Sequence, residues 1–120
     1  MMIEIKLSKN LTEDAKYIRT EVFVNEQGFS AEFDDTDNTA LHCVLYSDGK
    51  AAAVGRTYPA DAEGSVYAIG RIAVLPEFRK GGLGSKVVTA LEQAAEGMGA
   101  VRTELSAQVR ASDFYRTLGY

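Results

Sequence analysis

The run Arg71-Ile-Ala-Val-Leu-Pro-Glu-Phe-Arg-Lys-Gly-Gly-Leu-Gly-Ser85 limits the fold more than any other stretch of this 120-residue chain. An apolar segment rich in β-branched residues stops at Pro76, as a buried strand does. A basic, glycine-rich turn follows. The residues after it return to helical spacing, with Leu83, Val87, Val88, Leu91, Ala94, Ala95 and Met98 forming one apolar stripe, so a helix is predicted over residues 82–98. Strand, glycine turn and helix in that order build an anion site. Glycine lets the backbone approach a ligand closely, and the first N–H groups of the helix have no intrahelical partner. The dipole end there is positive, and Arg79 and Lys80 add full charges beside it. A diphosphate fits such a turn best. The Walker A pattern and the Rossmann glycine fingerprint are both absent.

The remaining elements follow from pattern. Residues 2–7 read as a strand with Ile3, Ile5 and Leu7 on one face. Asn10 or Thr12 can cap a helix on which Leu11, Ala15, Ile18 and Val22 recur at helical spacing. Residues 25–38 read as irregular and acidic. Strands are predicted at 41–46 and 51–58, joined across Ser47-Asp48-Gly49-Lys50 as a hairpin. Residues 59–64 form a second turn and 65–75 the next strand. Gly97 and Gly99 end the main helix. Val101, Thr103, Leu105 and Ala107 then alternate with polar residues as a half-buried strand, and a short last helix follows. The order β-α-β-β-β-α-β-α makes an α+β sheet with helices packed on it.

Bulk properties narrow the class. The length suits one domain, residues 1–120, with one real core. A net charge of −4 argues against a general nucleic-acid binder. The single cysteine, Cys43, allows no internal disulfide and sits in an apolar strand as a small core residue, which suits a reducing compartment. No run approaches the roughly 18 apolar residues that span a bilayer. Residues 1–20 lack a signal-peptide core. We therefore expect a cytoplasmic protein with neither membrane nor nucleic acid as partner. Asp34, Asp35 and Asp37 do not follow a calcium-loop pattern, since Ala40 and Tyr46 stand where glycine and glutamate belong. No metal is expected. A solvated loop is the preferred reading of the three, then a rim that attracts cationic amines.

Arg79-x-x-Gly82-x-Gly84 resembles the acetyl-CoA pyrophosphate loop of the GNAT superfamily of N-acetyltransferases, Arg/Gln-x-x-Gly-x-Gly/Ala. Ala111, Phe114, Tyr115, Gly119 and Tyr120 are similar to a second block of that family, on its last helix. Ile18-Arg-Thr-Glu-Val-Phe-Val-Asn-Glu-Gln27, the acidic stretch through Asp37 and His42 resemble its ElaA/YjcF-like branch. The resemblance covers residues 3–120. It implies a mixed, mainly antiparallel sheet. The family normally adds a final strand or strand pair after the Gly-Phe/Tyr pair, and Tyr120 would begin it. A sheet edge left open that way favours dimerisation or modest stability.

The resemblance also implies acetyl transfer from acetyl-CoA to a primary amine, on a small molecule or a peptide. The amine would attack directly in a ternary complex, in keeping with the lack of a Ser-His-Asp or Cys-His set. Ile72, Ala73 and Val74 would offer backbone groups to the pantetheine arm and the thioester oxygen. Arg79, Lys80, Gly81, Gly82, Leu83, Gly84 and Ser85 would hold the pyrophosphate. Gln108 stands where many members carry asparagine near the pantetheine. Tyr115 would bind near the sulfur and protonate the leaving thiolate. The glutamate that the family often places on the strand before the loop is absent. Glu26 is the first candidate for the general base, then Glu21 and His42. Histidine titrates in the useful range, although a lone one in a strand is more often structural. Arg19, Arg56 and Arg71 read chiefly as salt-bridge partners. Two alternatives remain: a catalytically weak acyl-CoA-binding module serving as sensor or interaction subunit, and a nucleotide-binding regulatory domain.

Overall fold

The computed structural model describes residues 2–28 and 33–106. Within them five strands form one sheet in the order β1-β2-β3-β4-β5. β1 (Ile3–Ser8), β2 (Leu41–Ser47), β3 (Lys50–Pro59) and β4 (Val66–Val74) run antiparallel to one another, and β5 (Arg102–Ser106) lies parallel to β4. A tight turn joins β2 to β3 through Asp48 and Gly49, both at positive φ (50° and 84°). Two central residues at positive φ match the right-handed twist of the flanking strands. Parallel strands cannot be joined so tightly. The helix α2 (Leu83–Gly97) makes the crossover from β4 to β5. The final helix expected from the sequence lies outside the described residues.

Helices cover both faces of the sheet. Cys43 and Leu45 on β2 pack with Ile69, Leu83, Val87 and Leu91 in one cluster. Val44, between them, packs with Ala15, Ile18, Val22 and Phe23 in another. The period-two alternation of a strand produces this division. Burial along α2 follows the sequence stripe, except that Met98, just past the helix end, is 41% exposed. Ile5 and Leu7 on the edge strand β1 also remain partly exposed.

The helix α1 (Glu13–Arg19) begins at Thr12, whose hydroxyl accepts from the Ala15 N–H at 3.3 Å. It runs directly into a π-helical segment, Thr20–Glu26, closed by Gln27 N–H donating to Val22 O at 3.0 Å. Residues 25–26 are thus helical, not irregular. Each wide turn holds one more residue than an α turn, which rotates everything after it on the helix surface.

The acidic stretch is only partly a solvated loop: Asp34 and Asp35 are exposed, but Asp37 is not. A short 3₁₀ turn, Asp35–Asn38, carries Asp37 into the interior. Asp37 accepts from Arg19 Nη1 and Nη2 (2.7 and 3.1 Å) and from Arg56 Nη1 (2.7 Å). Asp34 accepts from Arg56 at 2.8 and 3.2 Å and lies 3.5 Å from Arg71. The network ties α1, the acidic stretch, β3 and β4 together. Burial alone would raise the Asp37 carboxyl, but bonds from Arg19, the Asp34 N–H and Arg56 draw it from an ordinary 3.8 down to about 2.

Two predictions follow from this packing. The folded-state pKa of Asp37 is depressed, so its stabilising contribution is present above the unfolded value and is lost as pH falls from about 4 to about 2. Asp37→Ala leaves two buried guanidinium groups without their shared partner and should cost about 3–5 kcal/mol in urea unfolding at neutral pH. A loss below 1 kcal/mol would contradict a clamping role. Separately, a Cβ at Gly55 would meet Ile72 Cδ1, Val87 Cγ1 and Leu91 Cδ1 at 2.6, 2.7 and 2.8 Å. Gly55→Ala should therefore destabilise by about 1–3 kcal/mol through overpacking between α2 and the sheet. An unchanged urea midpoint would contradict that close approach.

Candidate functional site

Where β4 leaves the sheet, its backbone is distorted. Val54 pairs with Ala73 and Arg56 with Gly70, so Arg71 and Ile72 stand opposite the single residue Gly55. Two residues against one is a β-bulge. Arg71 takes a φ of 53°, a conformation that non-glycine residues seldom adopt. Pairing of β4 with β5 ends at Gly70–Ser106 among the described residues. Beyond that point β4 keeps β3 on one side, while Ile72, Ala73 and Val74 line a cleft.

The cleft has a volume of about 390 Å³. Its floor is β4, one end is the Arg79–Gly84 loop, and Val22 of the π-helical segment and Gln27 just past it line the side. Gly82 caps α2 at φ 71° and brings no side chain to the helix end. The first α-helical bond there is Lys86 N–H to Gly82 O at 3.3 Å. The N–H groups of Leu83, Gly84 and Ser85 therefore have no intrahelical partner. The first turn carries no acidic residue. These donors, with Arg79 and Lys80, make the loop end positive. Gly81 and Ser85 border a neighbouring groove between α2 and β1. A hollow of about 570 Å³ near the end of α2 is lined in part by Glu92 and Glu96, the wrong sign for a phosphate.

The structure joins two residues that the sequence reading placed in separate roles. Glu26 Oε2 accepts from Arg79 Nη1 at 2.7 Å, and Oε1 accepts from Nη2 at 2.6 Å. Arg79 Nε donates to Val74 O at 3.0 Å. The hydrogen bonds from Arg79 hold the Glu26 carboxyl below its usual range, against a smaller opposing effect of burial. His42 is far less accessible, at 2% exposure, with Nε2 2.9 Å from Asp37 O. It belongs to the buried network and does not line the cleft. Glu21 accepts from Asn25 at 3.0 Å. Gln108 and Tyr115 lie outside the described residues. Cys43 is buried, and burial pushes its thiol up to about 12, so it offers no thiolate.

Gln27 is a cleft residue that the sequence reading did not single out. Its Oε1 is buried and, among the described residues, has no hydrogen-bond partner. An unpaired buried acceptor is costly, and a ligand N–H would relieve it. The signal for it lay in the 18–27 block, which gave a resemblance but no residue roles. Among the described residues no group of His, Cys, Asp and Glu is disposed to hold a metal, and no helix is long and apolar enough to cross a membrane.

Known proteins share the sequence pattern and the fold. The acetyltransferase (GNAT) family model matches residues 8–120. YjcF of Bacillus subtilis (strain 168), an uncharacterised N-acetyltransferase, is 38% identical over 122 residues, covering 100% of this chain and 85% of its own length. The crystal structure of an acyl-CoA N-acyltransferase from Pseudomonas aeruginosa is 30% identical with a TM-score of 0.78, covering 98% of this chain and 88% of that one. Escherichia coli ElaA shares the fold at 23% identity and a TM-score of 0.79, over 98% of this chain and 86% of its own.

The loop yields its own test. A Cβ at Gly82 would meet nothing within 4 Å, so Gly82→Ala is opposed only by its backbone conformation. It should cost about 1 kcal/mol in urea unfolding. An unchanged or higher stability would show that residue 82 is not held in the left-handed conformation.

Proposed function

Since this chain belongs to the GNAT acetyltransferase family, we propose that it transfers the acetyl group of acetyl-CoA to a primary amine by direct attack, with both substrates held in the β4 cleft. The observation that carries this reading is the positive loop end of a cleft floored by Ile72, Ala73 and Val74 at the end of β4. Acetyl-CoA needs both parts: a diphosphate site, and polar backbone along a narrow arm that bears amides and ends in a thioester. The unpaired Gln27 Oε1 suits an amide N–H of that arm.

The roles follow from the groups present. Arg79, Lys80 and the N–H groups of Leu83, Gly84 and Ser85 bind the diphosphate, with Gly81 and Gly82 keeping the turn free of side chains. Ile72, Ala73 and Val74 present backbone polar groups along the arm, and an N–H there faces the thioester oxygen. Acetyl-CoA supplies the activated acyl group. Gln108 and Tyr115 are assigned by family resemblance, Gln108 to the arm and Tyr115 to protonating the sulfur. With Cys43 buried and protonated, no acyl-enzyme step is invoked. Neither Glu26 in its ion pair nor His42 in the core is free to take the amine proton, so we assign that proton to water at the open mouth of the cleft. The acceptor is an amine on a small molecule or peptide, and we place the reaction in the cytoplasm.

Calorimetric titration with acetyl-CoA, CoA and ATP tests this reading. Acetyl-CoA should bind well ahead of ATP, and Arg79→Ala should weaken it by roughly tenfold or more, the scale of hydrogen bonds to a charged group. Thiol release from acetyl-CoA should then depend on an added amine. Equal binding of ATP, or no binding of acetyl-CoA, would overturn the proposal.

A further inference from the structure

We infer that Glu26 is a positioning residue for the diphosphate site, acting through Arg79. The inference rests on the acetyl-CoA reading above and gives Glu26 a role other than proton transfer.

The argument is one of hydrogen-bond arithmetic. A guanidinium carries five N–H donors in a planar fork. Three are engaged here: Nη1 and Nη2 on the two Glu26 oxygens, and Nε on Val74 O. The three acceptors come from two elements, the end of the π-helical segment and the end of β4. Together they fix the plane of the fork and leave one N–H on each terminal nitrogen for another acceptor. Without Glu26, the Arg79 side chain is tethered only through Nε and must be ordered when a phosphate arrives.

Free energy points the same way. The Glu26 and Arg79 side chains are 39% and 42% exposed, and ion pairs that open to water add little to stability. What such a bidentate pair does supply is orientation. The pairing also makes Glu26 a poor base. Both its oxygens face a cation, and its carboxyl lies further from neutral pH than an ordinary glutamate. The π-helical segment fits this role. By ending on Glu26, with Gln27 following, it sets one residue against the loop and the next against the cleft.

The test compares wild type with Glu26→Ala, Glu26→Asp, Arg79→Ala and the double variant Glu26→Ala/Arg79→Ala. Calorimetry is run with acetyl-CoA and with S-acetyl-pantetheine, which lacks the diphosphate. Glu26→Ala should weaken acetyl-CoA about fivefold and leave S-acetyl-pantetheine unchanged. It should add nothing in the Arg79→Ala background, because the two residues act as one unit. Glu26→Asp should restore part of the loss. At saturating acetyl-CoA the variant should keep its kcat and the acidic limb of its pH profile. A loss of roughly 100-fold or more in kcat with that limb abolished and acetyl-CoA affinity intact would make Glu26 the base and overturn the inference. Additive losses in the double variant would overturn it too. Wild type failing to bind acetyl-CoA would instead remove the functional reading itself, and this inference with it.

Discussion

Asp37 is a single carboxylate between two buried guanidinium groups, and much of the architecture hangs on it. Arg19 comes from α1, Arg56 from β3, and Asp34 extends the network toward Arg71 on the bulge of β4. Buried charges of this kind need opposite charges in good geometry, and the terminal nitrogens of both guanidinium groups meet carboxylate oxygens here. The matching pins the acidic stretch against the sheet and fixes α1 relative to β3. The π-helical segment continues from α1, so the wall of the cleft inherits its position from this buried network. His42 Nε2 donates to the Asp37 carbonyl oxygen in the same stretch and so packs into the buried support.

The cleft lies at the end of β4, past its bulge. β4 is bulged at Arg71 and Ile72, and among the described residues its pairing with β5 reaches Gly70. Ile72, Ala73 and Val74 line a hollow there, while α2 starts beside it with three N–H groups that have no intrahelical partner. A short glycine turn between a strand end and a helix start keeps these two features close together. Here the loop adds Arg79 and Lys80, and the opposite wall adds Glu26 and Gln27. The acidic chain thus keeps a local positive site, with Glu26 spent on orienting the cation that makes it positive.

Much of this was legible in the amino-acid order. Asp48-Gly49 announced its turn, because few residue pairs adopt positive φ twice in succession. The α2 stripe and the glycine loop were equally local signals. The misses have a common cause, since each depends on partners distant in sequence. Asp37 read as solvated because Arg19 and Arg56 stand 18 and 19 residues away. The Glu26–Arg79 pair spans 53 residues. The π-helical segment left no periodic trace, since Ile18 and Val22 fit an α-helix as well. Met98, Ile5 and Leu7 fit the apolar patterns yet stay partly exposed, because pattern does not say where the opposing surface ends.

The most direct measurement is a crystal structure of this chain with CoA. The account requires the diphosphate oxygens within about 3 Å of the N–H groups of Leu83, Gly84 and Ser85, with Arg79 bonded to phosphate and Glu26 together. A diphosphate elsewhere on the protein, or Arg79 turned to phosphate with Glu26 released into the cleft, would contradict it.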